Sequence, residues 1–248
     1  GQFRVLRTHD KGERFPLTIA DFDREAGTVT IIFAQVGRST KQLGALPEGG
    51  EILDVVGPLG VASHFDPSIK KAAVIGGGLG CAIALPQAKH LKQMGVSVDM
   101  IAGFKTKDII ILEKEMTAAS DNLIITTDDG SFGMHGFVTD ALKKQIEDGV
   151  KYDIVVAIGP IPMMKFVSQL TREYGIKTIV SMNPVMIDGT GMCGGCRLTV
   201  GGETKFACID GPDFDGHQVD FDAAMRRLSM YDGMKEREED CRLIQMAD

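Results

Sequence analysis

Long apolar runs are missing from this 248-residue chain. No stretch approaches the roughly 18 consecutive apolar residues that cross a bilayer. No charged–apolar–small pattern of a signal peptide opens it. These absences point to a globular cytoplasmic protein with no membrane partner. A basic stripe is missing too: 27 Lys and Arg stand against 34 Asp and Glu, for a net charge of −7. Without clustered cations to neutralise phosphates, nucleic acid is not expected as a partner. Nor is the cysteine count even. Five cysteines (Cys81, Cys193, Cys196, Cys208 and Cys241) without a secretion signal argue against a disulfide framework and for metal or redox chemistry. The five histidines are dispersed, and none is read as catalytic.

What is present falls into three textures, expected as a β region, an α/β region and a cysteine-rich end. The length suits two compact domains better than one small core. Residues 1–68 alternate apolar and polar side chains between turns, over Gln2–Arg7, Leu17–Phe22, Thr28–Gln35 and Glu51–Val56. That pattern predicts a small antiparallel barrel or sandwich. Gly1 opens directly into strand-like text, so an earlier N-terminal piece is expected. Residues 69–182 alternate short apolar runs with helix-like stretches, which predicts βαβ units and a doubly wound parallel sheet covered on both faces. Residues 183–248 begin with a Gly- and Cys-rich loop. They end in a charged amphipathic segment, Phe221 to Leu243, whose Met225, Leu228, Met230 and Met234 are expected to pack on this chain or on a larger partner.

The tract from Lys71 to Gly80 reads as a strand running into a glycine-rich turn and then a helix, with glycines at 76, 77, 78 and 80. Such a turn needs backbone angles that a Cβ forbids. It also lets a pyrophosphate approach N–H groups at a helix start, where the dipole favours an anion. The spacing is not the strict dinucleotide fingerprint, and a tight turn without a ligand is the alternative. Other strand ends are small or polar: Ala102-Gly103, Thr127-Asp128-Asp129 and Ile158-Gly159-Pro160, with Met163 at a helix start. Ligands of doubly wound sheets sit at such carboxyl ends. Asp128 or Asp129 is a candidate for ribose hydroxyls, or else a turn former.

The most specific local signal is Asp188-Gly-Thr-Gly-Met-Cys193-Gly-Gly-Cys196, followed by Cys208. Leu198 to Phe206 reads as a hairpin with a Gly201-Gly202 turn. Pairing Val200 with Glu203 sets Cys196 opposite Ala207 and returns Cys208 beside the other thiols. Plant-type iron–sulfur sites space their ligands C-x4-C-x2-C…C. Asp188 stands where the first of those cysteines belongs, so the expected ligand set is Asp188, Cys193, Cys196 and Cys208. Two alternatives stay open: a structural zinc, although closed zinc sites prefer Cys and His, and unligated thiols in a turn. Cys81 is read as a packing residue, and Cys241 receives no role.

Barrel, nucleotide domain and cysteine loop, in this order, resemble the ferredoxin–NADP reductase superfamily. Within it the chain is similar to the electron-transfer subunits of dihydroorotate dehydrogenase B. It is more similar still to the small subunits of NADH-dependent reduced ferredoxin:NADP oxidoreductases, also described as sulfide dehydrogenase subunits, which share the Asp in place of the first Cys. The resemblance implies an FAD, a [2Fe-2S] cluster and NAD(H), with NADP(H) less favoured because no Arg pair for a 2′-phosphate accompanies Lys105. It implies that Thr18 hydrogen-bonds flavin N5 and that Leu17 lies against the isoalloxazine, within Arg14-Phe15-Pro16-Leu17-Thr18. Phe15 takes the place usually held by Arg, with Arg14 as substitute. Gly37, Ser39 and Thr40 fall in the implied second flavin loop. Gly76, Gly77, Gly78, Gly80, Asp129, Gly159, Pro160 and Met163 match its nicotinamide-nucleotide elements. The implied function is an oxidoreductase subunit passing electrons to a larger flavin and [4Fe-4S] partner, and indirectly to ferredoxin, by electron bifurcation. A dihydroorotate dehydrogenase subunit is one alternative. A zinc-stabilised nucleotide-binding regulatory module is another.

Overall fold

A computed structural model of the protein describes residues 1–230. The later part of the amphipathic tail, with Met234 and Cys241, lies outside them. No helix among the described residues is long and apolar enough to cross a membrane.

The first region is antiparallel, as its alternation implies. Strands β1 (Phe3–Arg7), β2 (Phe15–Asp23), β3 (Thr28–Ile31) and β4 (Asp54–Leu59) form a four-stranded sheet in the order β3-β2-β1-β4. A short helix, α1 (Arg38–Gly44), follows β3 and had no signal in the alternation pattern. The register pairs Phe3 with Thr18 and Val5 with Pro16. Directly opposed residues share a face, so Thr18 and Pro16 point to the side of the buried Phe3 and Val5. Leu17 is paired with Arg4 and points the other way.

The second region builds a seven-stranded sheet. Its parallel strands are β5 (Lys71–Gly77), β6 (Ser97–Phe104), β7 (Asn122–Thr127), the two-residue β8 (Met134–His135), β9 (Ile154–Ile158) and β10 (Lys177–Ser181). Helices α2 (Gly80–Gln93) and α3 (Glu113–Ala118) cover one face, where Leu85, Leu91 and Met116 are buried. Helices α4 (Val138–Glu147) and α5 (Ile161–Glu173) cover the other, over Ile75, Ile101 and Val155. Burial on both faces is why these strands read as nearly unbroken apolar runs. The stretch between β6 and β7 is not one continuous helix: a single turn at Lys107–Ile109 precedes α3. Ile110, Ile111 and Leu112 are partly buried against the core, and Leu112 turns left-handed at φ 58° before α3 starts.

The third region folds onto both sheets. Strands β11 (Arg197–Val200) and β12 (Glu203–Phe206) form the expected hairpin, with Val200 opposite Glu203. Gly201 and Gly202 both have positive φ, as a two-residue turn of this kind requires. Strand β13 (Asp213–Asp215) adds antiparallel to β10. Helix α6 (Phe221–Ser229) starts where Asp220 Oδ1 accepts the Ala223 N–H at 2.9 Å.

Candidate functional site

The sheet order is β13-β10-β9-β5-β6-β7-β8. The chain therefore moves outward from β5 in one direction and returns to β9 on the other side. Between β5 and β9 lies the switch point at which doubly wound sheets bind ligands. A cavity of about 460 Å³ opens there. Gly77, Gly78, Gly80, Gly159 and Pro160 line it, together with Pro16 and Thr18 from the first sheet. Seven of the sequence-predicted residues thus meet in one place, from three separate stretches of chain.

Glycine is dictated by contact here. A Cβ on Gly80 would collide with the Ile158 carbonyl, and Gly78 sits at φ 54°. Gly76 lies beneath the turn, where a Cβ would strike Cys81. Met163 packs its thioether over Gly77 and Gly159 from the first turn of α5. The start of α2 has no side-chain cap and no acidic residue in its first turn, and Leu79 and Gly80 face the cavity. An uncapped positive helix end beside glycine backbone fits a pyrophosphate.

Other predicted residues lie apart. Asp129, beyond β7, does not line the cavity; its Oδ1 accepts from Ser131 N at 3.0 Å and Ser131 Oγ at 2.6 Å. These bonds, led by the Ser131 hydroxyl, hold its carboxyl below the usual range. Leu17 faces away with Arg4. Ser39 Oγ donates to Glu13 Oε2 at 2.7 Å, which joins the Arg14 stretch to the start of α1. Thr40 Oγ1 accepts the N–H groups of Val36 and Gly37, both at 3.1 Å. Arg14 itself is exposed. Sequence reasoning missed Phe3, Met182, Asn183 and Pro184 as cavity walls. Asn183-Pro184 follows a strand end and was findable by the same rule that found Gly159.

The cysteine loop sits against the first sheet. A Cβ on Gly189 would press on Val5 and Leu59. Cys196 and Cys208 are buried with their sulfurs 3.2 Å apart, and the Ala207 N–H bonds the Cys196 carbonyl as the hairpin register requires. Burial, with Cys196 as hydrogen-bond partner, pushes the Cys208 thiol up to about 12. Cys193 is exposed. Asp188 Oδ2 accepts the Cys193 N–H at 2.8 Å, and Oδ1 accepts the Thr190 N–H at 2.6 Å. The Thr190 bond leads in keeping this carboxyl below its ordinary range. Asp188 thus holds the backbone at Cys193, while Cys196 and Cys208 meet through their sulfurs. Among the described residues no three His, Cys, Asp or Glu side chains converge on one metal position. Three thiols and one carboxylate on a glycine-rich loop and its returning hairpin have the chemistry of a two-iron cluster, which takes two protein ligands per iron.

Residues 183–220 match the iron–sulfur cluster binding domain of dihydroorotate dehydrogenase B. A homologue of the dihydroorotate dehydrogenase B (NAD(+)) electron transfer subunit from Thermotoga maritima is 48% identical over 93% of this chain and 81% of its own length. The electron transfer subunit from Geobacillus thermodenitrificans is 36% identical, over 88% of this chain and 86% of its own. The chain belongs to this family of electron-transfer subunits. A chain in a solved structure of an NADH-dependent reduced ferredoxin–NADP oxidoreductase, studied for flavin-based electron bifurcation, is 45% identical. It covers 96% of this subunit and 84% of that chain, with a TM-score of 0.90. The subunit thus has the β plus α/β fold of the ferredoxin–NADP reductase superfamily. It is an oxidoreductase component that carries an iron–sulfur cluster binding domain over residues 183–220.

Proposed function

We propose that this subunit carries electrons between NAD(H), FAD and a [2Fe-2S] cluster and delivers them to a larger partner in a bifurcating NADH-dependent ferredoxin:NADP oxidoreductase. The cofactors supply the hydride and single-electron chemistry, and the chain supplies binding, orientation and shielding. The backbone of Leu79 and Gly80, at the start of α2, faces the pyrophosphate, while the Gly78 N–H is held by the Gly103 carbonyl and fixes the turn. Thr18 brings a hydroxyl from the first sheet into the same cavity and orients the flavin edge toward the nicotinamide. Phe3, Met182 and Pro184 wall that meeting point from water.

Asp188 carries the choice between the two related assemblies. It lies five residues before Cys193 and hydrogen-bonds that residue's N–H, which supports its serving as the fourth cluster ligand. The dihydroorotate dehydrogenase reading expects a cysteine there. The match of residues 183–220 to an iron–sulfur domain favours a cluster over zinc. Two experiments test the proposal. Asp188→Ala should lose or labilise the cluster while Asp188→Cys keeps it; unchanged iron content and EPR signal in the Ala variant would remove Asp188 from the ligand set. Mixing the subunit with candidate large subunits should restore NADPH-linked rather than orotate-linked electron transfer, and orotate activity would favour the alternative.

A further inference from the structure

Two arginines grip the backbone between Cys193 and Cys196. Arg197 Nη1 donates to the Gly194 carbonyl at 3.2 Å, and Arg227 Nη2 donates to the Gly195 carbonyl at 3.3 Å. They come from different elements, β11 and α6. Helix α6 is fixed independently by its Asp220 cap and by Phe221 and Ala224, which are buried in the same core as Cys196 and Cys208.

The consequence lies on the other side of each peptide. In a trans peptide the C=O and N–H point in opposite directions. The group whose carbonyl Arg197 holds is the one whose Gly195 N–H faces Cys193 Sγ, at 3.4 Å. A guanidinium on the oxygen draws electron density through the peptide and makes that N–H a stronger donor to sulfur. Arg227 acts in the same way on the next peptide, which carries the Cys196 N–H. Hydrogen bonds to the sulfurs and net charge around a cluster set its reduction potential.

We propose that Arg197 and Arg227 are positioning residues that raise the reduction potential of the cluster by polarising the two peptides between its middle ligands. This rests on the cluster being held at Asp188, Cys193, Cys196 and Cys208. Arginine suits the task because it stays charged, and each guanidinium sets one Nη on its carbonyl.

The test is an EPR-monitored redox titration of the full chain, purified anaerobically, with iron measured in parallel. Arg197→Met and Arg227→Met should keep the wild-type iron content and shift the cluster midpoint to more negative potential, with a larger shift in the double variant. Arg197→Lys and Arg227→Lys, which keep the charge on a flexible ammonium rather than a planar guanidinium, should fall between. Unmoved midpoints in cluster-loaded Met variants would overturn the proposal. So would loss of iron from Met and Lys variants alike, because the arginines would then only hold the loop. A wild-type chain that binds no iron would remove the cluster reading itself.

Discussion

Two ion pairs of the same 2.5 Å length show how differently the two sheets are held. Arg7 meets Asp54 across β1 and β4 of the first sheet, with the two side chains 31% and 42% exposed. Lys71 meets Asp99 across β5 and β6 of the second, where Asp99 is 4% exposed and also accepts from the Tyr152 hydroxyl at 2.8 Å. A solvated pair contributes little. A buried one becomes critical once either partner is lost, because the other charge stays behind. The second sheet has a continuous core on each face. The first places Phe3 and Val5 in the core shared with Cys196 and Cys208, and leaves Leu53, Val55 and Val56 about half exposed. It leans on the cysteine loop and the nucleotide region rather than on a core of its own. That dependence brings residues 16–18, the cysteine loop and the glycine-rich turn together.

The contrast can be broken by substitution, and the largest effects are expected at Asp99 and Leu142. Asp99→Ala should destabilise the protein by about 3 kcal/mol, because it removes the acceptor of the buried Tyr152 hydroxyl and leaves the Lys71 ammonium with the Ser97 hydroxyl; chemical denaturation measures it, and a loss below about 1 kcal/mol would dissolve the contrast. Leu142→Ala in α4 empties a fully buried position and should also cost about 3 kcal/mol in the same assay. At the junction of the two sheets, Thr18→Ala should leave stability nearly unchanged but slow flavin reduction by NADH about 10-fold, the worth of one hydrogen bond. Stopped-flow absorbance reads this, and an unaltered rate rejects the role of Thr18. The smallest effect belongs to Asp54→Ala, at under about 1 kcal/mol.

Much of this arrangement was legible in the sequence because it depends on local rules. Apolar runs marked every parallel strand except the two-residue β8. The Gly201-Gly202 turn fixed the hairpin register, and with it the return of Cys208 to Cys196. What stayed hidden depends on distant pairing. The face shared by Thr18 and Phe3 follows from how β1 meets β2, which alternation alone does not specify. Strand β13 is three residues long and polar at both ends, and only its seat on β10 makes it a strand. Asp129 has the right residue type at a strand end, and its Oδ1 closes a local turn with Ser131, which spacing alone does not show. The arginine contacts on Gly194 and Gly195 join residues up to 32 apart and leave no spacing signature.

Metal and inorganic sulfide analysis of the anaerobically purified chain, with EPR after dithionite reduction, bears most directly on the two-iron site. The account predicts two irons and two sulfides per chain, together with a rhombic signal from a single unpaired spin. One zinc per chain, or no iron at all, would contradict it.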